Sequence, residues 1–260
     1  MYLPSQFRKR LTQSDLPLFG AFSVIADPAV VELIGIAGFD FVGIEMEHGA
    51  FSIRALENHH RAAAACGLGA IVKLPADDDH LLLKVLETGV DGVLLAGAHD
   101  VEAVIRSVSA CRHPPIGTRG VSTIVRGAGY GSRGMSAEAL DERSRDLVVA
   151  VLIEAPSLAA QIDQLVAVPG IDFLFIGTAD LALAMRAGGE SSDVALGATI
   201  NRIVDSCRSA GVAFGLPMEH PAYPKGAAEL RALGCRVVIA TSDVAAMLNG
   251  LRGVMDRIRG

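Results

Sequence analysis

Apolar residues along this chain follow two alternating spacings. Short runs rich in Val, Ile, Leu, Phe and Gly occur at LFGAFSV (18–24), FDFVGIE (39–45), GAIVKL (69–74), DGVLLA (91–96), LVVAVLIE (147–154), IDFLFIG (171–177), VAFGLP (212–217) and CRVVIAT (235–241). Near-continuous apolar runs of this length suit strands covered on both faces, as in a parallel sheet. Between them the apolar positions take a helical period, which predicts helices over 28–37, 53–66, 79–88, 99–111, 155–168, 194–210, 222–233 and 242–258, with a short one at 179–186. Strands alternating with helices predict an α/β fold, a (β/α)8 TIM barrel, with residues 1–260 as a single domain. Junctions such as IAGFDFVGI, ETGVDGVLL, SAGVAFGL and ALGCRVVI support this, because glycine ends a helix in the left-handed conformation before the chain re-enters the sheet.

One connection is long. Residues 112–146 include RHPPIGTRGVSTIVRGAGYGSRGMS and read as a loop without regular structure, on the barrel face away from the reacting groups. A solvated excursion, a wrap toward the mouth and a contact with a neighbouring subunit all remain open for it.

Charge and composition narrow the function. The formal charge is −6, and the basic residues are scattered rather than gathered into a stripe, so nucleic acid is not an expected partner. The apolar runs are interrupted by acids too often to span a bilayer, so no membrane partner is expected. MYLPSQFRKRLTQ lacks the apolar core of a signal peptide, and a cytoplasmic protein is expected. Cys66, Cys111, Cys207 and Cys235 stand far apart with no metal-binding spacing and are read as reduced thiols without a chemical role.

In a barrel, reacting groups gather where strands end. The second strand runs out in FVGIEMEHGAFS, bringing Glu45, Glu47 and His48 to that rim. The fifth ends at Glu154, and the sixth turns through Gly177 to Asp180. Carboxylates on adjacent strands repel unless a cation or a shared proton lies between them. Glu154 and Asp180 therefore suggest a site for Mg2+, Mn2+ or Co2+ with open positions. Blander readings stand beside this one: Asp180 as a helix cap, His48 as a hydrogen-bonded core residue, and Asp77 to Asp79 as a charged helix start rather than a metal site.

GFDFVGIEMEHGAFS, RHPPIGTRGVS, VLIEAPSL and GIDFLFIGTADLALAM, in this order, resemble the HpcH/HpaI aldolase family, the class II metal-dependent aldolases of 2-keto-3-deoxy sugar acids and hydroxy-oxo-diacids. The resemblance implies a barrel of the phosphoenolpyruvate/pyruvate-domain type. It makes Glu154 and Asp180 the metal ligands, His48 the base, and Glu45 the acid that orients it, where the family usually has aspartate. The amides of Gly177, Thr178, Ala179 and Asp180 would receive the substrate carboxylate; Thr178 stands where the family usually has proline. Lys73 stands where the family has an arginine contacting the enolate oxygen, and it keeps the charge without the planar fork. Glu47 would hold a metal-bound water from one shell further out, or face a neighbouring loop.

The implied reaction is cleavage or formation of a 4-hydroxy-2-oxo acid through a pyruvate enolate and an aldehyde, so the implied partners are a small 2-oxo acid and an aldehyde. Two alternatives use the same residues differently. One is a lyase or synthase with an oxaloacetate or acyl-coenzyme A partner, as in citryl- or malyl-coenzyme A lyases. The other is a catalytically silent, carboxylate-binding barrel, and an imine-forming Lys73 is the less favoured enzymatic variant. SDVAAMLNGLRGVMDRIRG carries one apolar helical face, which either covers its own barrel or, as the resemblance implies, is exchanged between subunits of a homo-oligomer, a hexamer built as a trimer of dimers.

Overall fold

The computed structural model describes residues 7–14, 16–189 and 192–260. Strands β1 (Leu18–Ser23), β2 (Phe41–Glu45), β3 (Gly69–Pro75), β4 (Gly92–Ala96), β5 (Val148–Ile153), β6 (Phe173–Ile176), β7 (Ala213–Pro217) and β8 (Val237–Ser242) pair in parallel and in chain order, and β8 closes back onto β1. The surrounding helices are α1 (Phe7–Gln13), α2 (Pro28–Ile36), α3 (Ile53–Cys66), α4 (Asp79–Glu87), α5 (Val101–Cys111), α6 (Ala137–Asp146), α7 (Pro156–Ala160), α8 (Ile162–Leu165), α9 (Thr178–Ala187), α10 (Asp193–Ala210), α11 (Ala227–Ala232) and α12 (Asp243–Arg259). All eight expected strands are present. The expected helix over 155–168 is broken at Gln161 into α7 and α8, and α11 is shorter than 222–233.

Helix starts follow from local chemistry. Asp27, Ser52, Asp78, Asp100, Ser136, Ser192 and Ser242 each accept a backbone N–H of the first turn. Asp78 and Asp79 thus belong to the start of α4, as their spacing predicts.

The barrel interior is filled by side chains from alternate strand positions, including Phe41, Ile71, Leu94, Leu152, Phe173 and Phe175. Helix α1, absent from the sequence-based reading, plugs the N-terminal end. Phe7 meets Phe41 edge-on with ring centroids 5.3 Å apart. Gly69 makes room for it: a Cβ there would lie 2.6 Å from the Phe7 ring.

The same end of the barrel carries a repeated fastening. The residue before β2, β4 and β6 is aspartate each time, and its carboxylate accepts a backbone N–H of the preceding strand. Asp40 takes Phe19 at 2.9 Å, Asp91 takes Ala70 at 2.7 Å and Asp172 takes Val149 at 2.7 Å. Before β8 the residue is Arg236, which donates to the carbonyls of Leu11 and Ser14 and so ties α1 to the closing strand.

The 112–146 connection is more ordered than the sequence suggests. It contains a 3-10 turn at Arg126–Gly131 and the ten-residue α6. Three of its arginines are fastened to the N-terminal end of the barrel, while Arg145 is exposed and pairs with Asp141 on its own helix. Arg112 donates to the carbonyls of Ser144, Leu147 and Gly170, Arg119 to that of Leu86, and Arg126 to that of Thr88. These groups offset helix-end and loop carbonyls that the Gly-rich sequence cannot satisfy by itself. Among the described residues no helix is long and apolar enough to cross a membrane.

Candidate active site

At the C-terminal mouth, β2 and β3 place Glu45 opposite Lys73 in register. The Lys73 ammonium lies 3.1 Å from Glu45 Oε2 and 2.7 Å from Glu47 Oε2. Burial opposes its charge, but the hydrogen bond it donates to Glu47 and the two negative charges outweigh that penalty, so its pKa is raised and the ammonium form is held. The other oxygen of Glu45 accepts the backbone N–H groups of Glu47 at 2.9 Å and His48 at 3.1 Å.

That geometry corrects the expected pairing of Glu45 with the His48 imidazole. Glu45 fixes the turn that carries His48, and both of its oxygens are committed to backbone amides and Lys73. The His48 ring projects into solvent with its side chain 73% exposed, and its Nε2 lies 3.5 Å from Glu47 Oε2. Glu47 is therefore the carboxylate beside the imidazole, as well as a direct partner of Lys73.

Glu154 follows β5 and accepts the N–H of Gly97, just past β4, at 2.7 Å. Burial pushes its pKa up, and the charges of Glu47 and Asp180 add to the effect. Asp180 lies in the first turn of α9, but Gly177 occupies the cap position, so Asp180 is not a helix cap. The turn is pressed against Glu154: Gly177 N–H donates to the Ile153 carbonyl at 2.9 Å, and a Cβ on Gly177 would lie 3.2 Å from the Glu154 Cβ. Thr178 is buried, and its hydroxyl has no hydrogen-bond partner among the described residues.

A pocket of about 280 Å3 opens at this mouth. Lys73 and the Gly177–Asp180 turn line one part of it, and His220, Thr241 and Ser242 line another. His220 was missed in the sequence. Glu219 and His220 in LPMEHPAY stand just past β7 as Glu47 and His48 stand past β2, so the rule applied to strands two, five and six would have found it.

Glu154 and Asp180 are the residues suited to a cation. Burial is the main cause of the raised Glu154 pKa and the Asp180 charge adds a smaller part; a cation would favour both carboxylates in their charged form, and their oxygens suit Mg2+, Mn2+ or Co2+. Among the described residues no three His, Cys, Asp or Glu side chains form a closed cage, so the remaining coordination would fall to water or substrate.

The model of the HpcH/HpaI aldolase/citrate lyase family matches residues 18–245. The chain belongs to this family. Its relatives include a hydroxypyruvate/pyruvate aldolase from Paraburkholderia phytofirmans, 30% identical over 97% of this chain and 96% of the relative. A 2-dehydro-3,6-dideoxy-6-sulfogluconate aldolase from Pseudomonas putida is 28% identical over 96% and 95%. Among solved structures, an HpcH/HpaI aldolase/citrate lyase family protein from Burkholderia cenocepacia J2315 superposes with a TM-score of 0.87 at 27% identity, covering 98% of this chain and all of that one. The citrate synthase SbnG superposes at 0.85 with 24% identity over 97% of each chain, a likeness that speaks for the fold alone.

Proposed function

We propose that the chain is a divalent-cation-dependent aldolase that cleaves or forms a 4-hydroxy-2-oxo acid through pyruvate enolate and an aldehyde. The observation that carries this reading is the convergence of a charged Lys73, the Glu154–Asp180 pair and the amide-rich start of α9 on one mouth. The aldolase names of relatives at 30% and 28% identity support it.

Glu154 and Asp180 would hold the cation, which when bound supplies Lewis-acid polarisation of the 2-oxo acid. The N–H groups of Thr178, Ala179 and Asp180 suit the substrate carboxylate, since a helix start favours an anion, whereas the Gly177 amide expected beside them is committed to the Ile153 carbonyl. Lys73 supplies positive charge where the keto oxygen gains negative charge. Its raised pKa keeps the amine protonated, which supports this role over imine formation, since an imine needs the neutral amine. His48 moves the proton at the substrate methyl carbon with Glu47 beside its Nε2. Glu45 positions the turn that carries it.

Proton NMR of pyruvate in deuterated buffer tests the reading. Loss of the methyl signal is expected with Mg2+, but not with a chelator or in His48→Ala. Absence of exchange with Mg2+, Mn2+ and Co2+ in turn would overturn it.

The assembly proposed is a homo-oligomer with α12 exchanged between subunits, a hexamer built as a trimer of dimers. Within α12 only Asp243 is buried, while Val244, Met247, Leu248, Leu251, Val254, Met255 and Ile258 form an exposed apolar stripe. Beside it an apolar groove of about 350 Å3 runs between α2 and α12, with Leu33 and Met247 on its walls. Light scattering should report an oligomer for the natural chain and a smaller species for Leu251→Glu/Met255→Glu; a monomeric natural chain would refute the exchange. A cytoplasmic location accords with four free thiols, three of them buried and pushed up to about 12 by that burial.

A further inference from the structure

We infer that His220 reads a hydroxyl group on the aldehyde partner; the inference rests on the aldolase reading above. In a closed barrel of eight strands in sequential order, β3 and β7 lie across the mouth from one another. The 2-oxo acid is accounted for on the side formed by Lys73, Glu154 and the α9 start. The wall that remains for the second substrate comes from β7, β8 and β1. It is largely apolar, with Phe22, Met218 and Ile239 among its residues.

The polar side chains on that wall are unequal. Ser242 Oγ caps α12 by accepting the Ala245 N–H, and Thr241 Oγ1 donates to the Ser242 carbonyl. His220 is different. Its Nδ1 accepts the N–H of Ala222 at 3.2 Å, which leaves the proton of the neutral ring on Nε2. No bond to Nε2 is formed among the described residues, so this wall offers one donor of fixed identity.

The donor is also held in place. Tyr223 N–H donates to the His220 carbonyl at 2.8 Å, and Glu219 N–H to the Lys225 carbonyl at 2.8 Å. Lys225 is tied in turn to Glu229 at 2.8 Å. Glu219, next to His220, takes a left-handed φ of 50°, a strained conformation for a residue with a side chain. A braced loop that presents one N–H over an apolar wall discriminates well, because an analogue lacking the matching oxygen leaves the donor unpaired.

Glycolaldehyde and propanal differ only by a hydroxyl in place of a methyl group, so the ratio of their kcat/KM values with pyruvate measures this contact. His220→Ala should lower the glycolaldehyde-to-propanal ratio about tenfold, mainly by raising the glycolaldehyde KM. His220→Gln, whose amide N–H reaches the place of Nε2, should restore most of it. Circular dichroism and melting confirm that each variant is folded. A ratio that moves by less than about twofold in His220→Ala, or that Gln fails to restore, overturns the inference. Pyruvate deuterium exchange by the natural chain separates the two failures. Exchange with an unchanged ratio sinks the role of His220 alone, whereas no exchange sinks the aldolase reading and this inference with it.

Discussion

Lys73→Met removes the one charge that holds two glutamates together at the mouth. Lys73 is 8% exposed, with Glu47 at 2.7 Å and Glu45 at 3.1 Å. Methionine is unbranched and of similar length, so packing changes little and the loss is electrostatic. Removing one partner from a buried ion pair costs about 3–5 kcal/mol, because the remaining charge is left desolvated. Glu47 retains some exposure, which favours the lower end, about 3 kcal/mol. For a chain of this size each kcal/mol lowers the melting temperature by about 2–4 °C, so a fall of about 6–12 °C is expected. Differential scanning calorimetry in chelator measures it without interference from bound cations. The Lys73→Met/Glu47→Gln double variant should recover at least half of the loss, since the strain comes from uncompensated charge. A single variant melting within about 2 °C of the natural chain, or a double variant melting below the single, would refute Lys73 as the counter-ion of this cluster.

Three further outcomes are expected at the opposite end of the barrel. Burial, aided by the charge of Arg126, lowers the His60 pKa from 6.5 to about 4; the unfolded chain therefore binds the extra proton first, and stability present at pH 7 is lost as pH falls from 6.5 toward 4. About 2 kcal/mol of the loss between pH 7 and pH 5 in urea titrations should come from His60, and His60→Gln should remove that share while the share of His113, also lowered to about 4, remains. Gly69→Ala drives a methyl group into the Phe7 ring and should cost about 1–3 kcal/mol, with faster amide exchange in α1; unchanged exchange would show that α1 does not depend on that gap. Asp172→Asn weakens its bonds to Arg8 at 2.6 Å and Val149 N–H at 2.7 Å. It should cost about 2–3 kcal/mol of stability while pyruvate exchange per folded molecule stays the same.

The barrel was legible because its strands are buried on both faces and its helices on one, so two periods mark every element. Glu154 and the Gly177–Asp180 turn were read from strand ends that converge on one mouth, whereas Lys73 came from the family resemblance alone. What escaped depended on contacts between distant segments. Helix α1 is only about two turns long, and its apolar residues, Phe7 and Leu11, become meaningful only against the barrel floor. Helix α6 has few apolar residues, and its buried side chains are Arg143 and Ser144, so no apolar period announced it. The resemblance paired Glu45 with His48, but the spacing shows only that two acids precede the histidine, not which one turns back onto its own amides.

The aspartates before β2, β4 and β6, with Arg112, Arg119 and Arg236, fasten the floor of the barrel through bonds to backbone groups, at the end opposite the Lys73 cluster. Part of the barrel's stability is thus carried by residues remote from the mouth pocket. Within the loop at 218–222 only Glu219 and Pro221 are exposed, while Met218 and Ala222 pack against the core, so changes as mild as about 0.5 kcal/mol are expected at the exposed positions and not at the other two. A library randomised at Glu219, His220 and Pro221, with Met218 and Ala222 left in place, should keep most of its members folded.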